Sequence, residues 1–274
     1  MKRTVRNSIL ITVGVGVLVV LGFGYSALGI PALHPIDENN APKFVQHDFI
    51  DLAAITSISK FRSGEGHDFS DKVETCRSMK HYFTPQRTVA DEVTLANDTT
   101  TYQGNVVPPP PNPATAISIY SPVDGRITQL SSEQFPVGKQ VYIRPDKEQA
   151  YTFRIFHVTP ADGIHVGSHV TAGEKIGEIS RLSDTDISVE LATLRGTQLL
   201  SYFQVMPDSI FAAYQARGAT SRNDFVISKE YRDSHPLQCN GESFVQQGSS
   251  PTDDFHLSGW VDVQSQQGGP GKKR

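Results

Sequence analysis

Cysteine and tryptophan are scarce in this sequence, with two of the first and one of the second among 274 residues. Two cysteines exclude a disulfide-dense scaffold and a cysteine-built zinc module. An excess of one charge is also missing. Lys and Arg number 25 against 29 Asp and Glu, a formal net charge of −4. That excludes a protein held mainly through nucleic-acid phosphates, which needs a basic surface. The mean hydropathy is −0.30, so a polytopic membrane protein is excluded too. The charged fraction of 20% lies a little below the roughly 25% of globular chains, and a wholly disordered chain is set aside. The length suffices for one large domain or two small ones with a sizeable core.

One long apolar run is present, and it lies at the N-terminus. Residues 9–28 read ILITVGVGVLVVLGFGYSAL, without a charge. A helix of that length spans a hydrocarbon core about 30 Å thick. Lys2, Arg3 and Arg6 precede it, and positive charge stays on the cytoplasmic side. The expectation is a single transmembrane helix in residues 1–28, with everything after it extracytoplasmic. A cleaved signal peptide is the alternative, although its apolar region is ordinarily about 7–15 residues. Either topology puts Cys76 and Cys239 in an oxidising compartment, where an even pair is expected to form a disulfide. Two separately buried thiols are the alternative.

Residues 29–60 are proline-punctuated (Pro31, Pro35, Pro42) and read as a stalk or as an extended segment lying on the domain. Pro108 to Pro111 and Pro113 mark a break. From Ala116 onward AISIYSPVDGRITQL, VGKQVYIRP, AYTFRIFHVTP and TDISVELAT alternate apolar and polar residues. Short alternating segments with frequent turns indicate antiparallel β structure. Residues 208–217 (DSIFAAYQAR) form the best helix after the apolar run, started by Pro207 and Asp208 and stopped by Gly218. The glycine-rich end, residues 263–274, reads as a disordered tail.

Five segments carry a family resemblance. They are Ser121-Pro122-Val123-Asp124-Gly125-Arg126-Ile127, Phe156-His157-Val158, the glycine-spaced run from Ile164 to Gly177, Asp186-Ile187-Ser188-Val189-Glu190-Leu191, and upstream Gly66-His67-Asp68-Phe69-Ser70-Asp71. Together they resemble the catalytic domain of the M23 zinc metallopeptidases, the lysostaphin- and LytM-type family. The resemblance covers about half the chain. It implies a barrel-sandwich, antiparallel β domain over residues 61–262, with an insertion at 72–115 and a C-terminal extension at 200–262. The first segment would be an opening hairpin that turns through Asp124-Gly125.

The resemblance also implies a metal site. His67 and Asp71 match the family's H-x-x-x-D ligands, and His157 matches its catalytic histidine. The closing H-x-H is lost: Asp186 stands for its first histidine and Ser188 for the third zinc ligand. A neutral hydroxyl is a poor zinc ligand, and two protein ligands rarely hold a catalytic zinc. No cofactor is therefore expected, and zinc belongs only to the active alternative.

Other residues have competing readings. His81, in a basic and aromatic stretch, is a groove candidate or part of a packed segment beside the disulfide. His235 is a second groove candidate, and His235 or His256 is the substitute for the lost ligand in the active alternative. His165 and His169 flank Gly167 and read as solvent-facing. The function expected is a membrane-anchored, extracytoplasmic, M23-like protein without catalysis. It would bind or regulate at the cell envelope through a glycan, peptide or protein partner, and no nucleic acid. The alternatives are an active zinc metalloendopeptidase acting on envelope peptides and a structural envelope protein without ligand.

Overall fold

Alternation decides most of the strands, because a period of two puts every second side chain on the same face. The computed structural model describes residues 31–97, 101–102, 105–106, 110–112, 114–133, 138–245 and 253–258. The apolar run at 9–28 and the tail at 263–274 lie outside the described residues. Among the described residues, no helix is long and apolar enough to cross a membrane.

In chain order the strands are β1 (Ile55–Ser59), β2 (His81–Pro85), β3 (Thr101–Tyr102), β4 (Asn105–Val106), β5 (Ala116–Tyr120), β6 (Gly125–Glu133), β7 (Gly138–Pro145) and β8 (Tyr151–Pro160). There follow β9 (His169–Val170), β10 (Lys175–Ser180), β11 (Thr185–Thr193), β12 (Gly196–Leu200), β13 (Cys239–Asn240), β14 (Ser243–Phe244) and β15 (Asp254–His256). The helices are α1 (Val89–Asn97), α2 (Asp208–Gln215) and α3 (Lys229–Ser234). The main sheet runs β15-β1-β2-β11-β8-β7-β6-β9, with β12 on β11 and with β10 joining β8 to β5. The architecture is mainly β and antiparallel. The helix expected at 208–217 is α2, and Gly218 ends it in the left-handed region at φ +102°.

Three sequence expectations are corrected. The segment around Asp124-Gly125 is not a hairpin. Strand β5 pairs with β10, whereas β6 pairs with β7 and β9. The chain instead crosses between two strand layers at Ser121, whose backbone exchanges hydrogen bonds with Gly173 and Glu174.

Residues 29–60 are no stalk from Ala32 onward. Val45, Phe49, Ile50, Ile55 and Ile58 are in the core. The Asp48 carboxylate accepts from the Tyr214 hydroxyl at 2.6 Å and the Tyr202 hydroxyl at 3.2 Å, tying this segment to the C-terminal part. The apolar residues of this segment lie too far apart to read as a regular element, yet tertiary packing recruits them.

Part of residues 72–115, expected as an insertion, belongs to the main sheet. Strand β2 lies inside the main sheet, between β1 and β11. Its alternation is only five residues long, HYFTP, which is too short to separate a central strand from a loop. The C-terminal extension is likewise structural. Tyr202, Phe203, Phe211, Tyr214 and Phe225 are buried together, and β15 completes one edge of the sheet on β1.

Candidate functional site

The central sheet has a core face and an outer face. On β11, Ile187, Val189 and Leu191 enter the core, so Asp186, Ser188 and Glu190 point to the outer face. On β8, Tyr151, Phe153 and Ile155 enter the core. Strict alternation would send His157 after them. A bulge prevents it. Lys139 and Val141 of β7 face Val158 and Ile155 of β8, so β8 carries one extra residue in that interval. His157 takes φ +64°, an uncommon value for a residue with a side chain. The bulge turns its ring to the outer face, and Val158 becomes the core residue. Gly138 makes room for it: a Cβ there would meet the His157 carbonyl carbon at 2.6 Å.

The segment from Phe61 to Lys80 covers this outer face. Isolated bridges pair Ser63 and Phe69 with Ser78, and the Phe69 ring meets the Phe156 ring edge-on at 5.7 Å. Gly66, at φ +70°, lies against Tyr82, where a Cβ would meet the hydroxyl oxygen at 2.0 Å. Any larger residue would lift the segment that carries His67. Under this cover the Asp186 side chain is 0% and the Lys80 side chain 2% exposed.

Lys80 is the residue that sequence reasoning missed. Its ammonium is ion-paired with Asp186 and stands 3.2 Å from His67 Nε2. It also lies over the rings of Phe156, Tyr82 and Phe69 at 4.3, 4.7 and 5.0 Å, within range of favourable cation–π contact. An ammonium has no acceptor, so Lys80 donates to His67 Nε2. The His67 proton then sits on Nδ1, which donates to the Asp68 carbonyl at 3.0 Å. Burial and the Lys80 charge both push the His67 pKa down, so this ring is neutral.

His157 is in the opposite state. Nε2 lies 2.9 Å from Asp186 Oδ1 and Nδ1 lies 3.0 Å from Glu133 Oε2. Two carboxylates require both ring nitrogens to donate. Burial opposes the charge, but Asp186 and Glu133 outweigh it and raise His157 to about 9. Burial likewise would raise Asp186, and Lys80 and His157 instead hold it down to about 2. The result is a closed, neutral set: two cations, Lys80 and His157, against two anions, Asp186 and Glu133.

The remaining candidate residues do not join it. Asp71 Oδ1 accepts from the Val73 and Glu74 amides at 2.8 Å each, and Oδ2 faces the Leu199 amide at 3.5 Å. It caps a turn, in a separate cleft lined also by Glu38, Arg62 and Arg195. Ser188 Oγ points along β11 to Glu190, at 3.4 Å.

His81 is no groove residue. It is 0% exposed, with Nδ1 2.8 Å from the Ser59 carbonyl and Nε2 2.8 Å from Ser201 Oγ, and burial pushes its pKa down to about 4. Odd-numbered positions of β2 face the core, and His81 is the first of them.

His235 is exposed at the end of α3, stacked on Tyr231 with ring centroids 4.2 Å apart. His165 and His169 are exposed, the first on Ser168 and the second on Asp146. Cys76 and Cys239 form a disulfide.

Zinc, which the resemblance implies, does not fit these residues. Its would-be ligand His67 is spent on an ammonium, Asp71 faces backbone amides, and Ser188 is turned to a carboxylate. Among the described residues, no three His, Cys, Asp or Glu side chains converge to hold an ion. A divalent cation would also meet two positive charges already in place, Lys80 and His157.

No protein-family model matches the sequence, and no curated protein matches it. Solved structures do. One is lysostaphin, at 14% identity and a TM-score of 0.24, covering 32% of this chain and 44% of that one. Another is a putative glycyl-glycine endopeptidase LytM from Ruminococcus gnavus, at 15% identity and a TM-score of 0.29, covering 54% and 59%. A third is a putative M23 peptidase from Pseudomonas aeruginosa, at 13% identity and a TM-score of 0.27, covering 62% and 96%. The chain thus spans less than two-thirds of the first two. The family that the motifs resemble is the family of these structures. At such identities and TM-scores the likeness carries no weight on activity, which has to be read from the residues of this chain.

Proposed function

We propose that this is a membrane-anchored, extracytoplasmic M23-like protein that binds or regulates at the cell envelope and does not cleave peptides. The observation that carries the reading is the Lys80 ammonium between His67 and Asp186. A catalytic zinc site needs deprotonated ligands and an open position for water. Here a fixed cation takes the place beside the histidine, and His157, doubly bonded to carboxylates, has no free nitrogen to take a proton from water. The neighbouring outer face supports binding. Arg154, 22% exposed, pairs with Glu190 at 3.6 Å and lies 4.6 Å from the Phe156 ring centre and 5.0 Å from that of Tyr142. Arg154 and Tyr142, both partly exposed with Phe156 buried beneath them, offer a cation and a ring that suit an extended peptide or glycan.

The test is elemental analysis of the purified full chain together with incubation on envelope cross-link peptides. The expected result is no stoichiometric zinc and no cleavage, with the chain retained on sedimented envelope material. Stoichiometric zinc that is lost in His67→Ala, or turnover of a peptide, would overturn the non-catalytic reading. Absence of retention would overturn the binding role.

A further inference from the structure

The polypeptide enters the described domain at one edge, and that edge has an unusual surface. Ala32 is bridged to Thr193 at the end of β11. The Ala32 amide donates to the Ala192 carbonyl at 2.9 Å, and the Leu194 amide donates to the Ala32 carbonyl at 2.9 Å. The entering chain is therefore fastened to the tip of the β11–β12 hairpin. Leu33 follows it directly and is 57% exposed, Leu194 at the tip is 66% exposed, and Val73 in the adjacent turn is 74% exposed. Single exposed apolar residues need no explanation, but a group on one edge does.

Cations flank the group. Arg195 and Lys72 are exposed, and Lys72 reaches within 3.9 Å of where a Cβ on Gly196 would sit. Two of the nearby acids are engaged elsewhere: Glu38 with Arg62 at 2.9 Å, and Asp71 with backbone amides.

Only residues 29–31 separate the apolar run from Ala32. Four Cα steps span at most about 14 Å. If residues 9–28 cross the bilayer, the hairpin tip has to lie at its surface. We infer that the edge formed by Leu33, Val73, Leu194, Lys72 and Arg195 is a membrane-apposed surface, which seats in the headgroup region of the bilayer that holds the chain's own N-terminal segment. The leucines enter the headgroup–acyl boundary and the cations meet lipid phosphates, the pattern of interfacial anchors. The two backbone hydrogen bonds that join Ala32 to Ala192 and Leu194 hold this edge downward. The Lys80–Asp186 face is thereby fixed relative to the membrane and does not swing on a tether. The inference rests on the anchor reading above.

The test uses the full chain in nanodiscs of phosphatidylcholine and phosphatidylglycerol, with Trp260→Phe removing the native indole. Leu194→Trp reports on the tip. Val166→Trp, on the exposed turn before β9 and four strands across the sheet from β11, is the control. With lipids brominated high on the acyl chains, L194W should lose about half its emission, as a side chain seated ~5–10 Å into the boundary does, while V166W is unchanged. Equal emission with and without bromine in L194W, in a chain that stays with the nanodisc, would overturn the membrane-apposed edge and leave the anchor intact. Release of the whole chain from the nanodisc would overturn the anchor and the inference with it.

Discussion

The two faces of the central sheet each hold a histidine with both ring nitrogens engaged, and the two are in opposite states. On the core face His81 meets a carbonyl and a hydroxyl, and burial drives it to about 4. On the outer face His157 is partly exposed, and two carboxylates raise it to about 9. Position in the sheet does not decide which is charged; the partners do. Neutral partners make a histidine part of the core. Carboxylates turn the same residue into a fixed cation, and Lys80 supplies a second one beside it.

The largest expected effect comes from breaking the charged face. Lys80→Met leaves Asp186 facing a single cation in a dry site, and loss of about 3–5 kcal/mol is expected in denaturant unfolding. The double variant Lys80→Met/Asp186→Leu should recover most of it, because an apolar pair of similar volume needs no counter-charge. Lys80→Ala sharpens the comparison further. It frees His67 Nε2 and Asp186 Oδ2, while Asp186 Oδ1 stays on His157, and added zinc should then raise the melting temperature of the variant but not that of the wild type. Equal zinc response in both would refute a cation-filling role for Lys80.

Next in size is the disulfide. Cys76→Ser/Cys239→Ser opens a covalent loop with a sequence separation of 163, and a loss of about 2–4 kcal/mol is expected from calorimetry.

The pH dependence separates the histidines directly. His157 has a folded pKa raised from 6.5 to about 9. Its contribution is fully present below pH ~6.5 and is lost as pH rises through ~9, on the order of 3 kcal/mol for such a shift. His81 is lowered from 6.5 to about 4, so the unfolded chain binds the extra proton and stability falls as pH drops from ~6.5 to ~4. His157→Gln should flatten the alkaline limb of the stability profile alone, and His81→Gln the acid limb alone. The same limb altered in both variants would show that the assignment of charge is wrong. The smallest effect expected is that of Asp71→Asn. It weakens a turn cap by about 1 kcal/mol, read in denaturant unfolding.

Much of this architecture is legible in the sequence. The strands from Ala116 to Thr193 follow from period-two patterning, α2 from its start and stop signals, and the Cys76–Cys239 pair from parity and the expected compartment. The charged face is only partly legible. His157 and Asp186 stand out through their family positions alone, because Asp186 falls on a polar position of the alternating TDISVELAT. Lys80 is not visible, because a lysine in RSMKHYF looks like any surface cation. Only the fold over it, set by Gly66, Phe69 and Ser78, makes it a buried one. The bulge at His157 is likewise a matter of pairing with β7, which no local pattern in FRIFHVT encodes. The segment at 29–60 was obscured for a third reason: its prolines suggest extension, and its burial is decided by distant aromatic residues such as Tyr202 and Phe203.

The buried Lys80 also bears on supply. A metal has to be acquired from the surroundings, competes with other ions and can be stripped by a chelator. An ammonium joined to the backbone arrives with the chain during synthesis, at fixed stoichiometry. The outer face of this sheet is therefore complete as soon as the polypeptide folds, and it stays so where the surroundings hold no zinc at all.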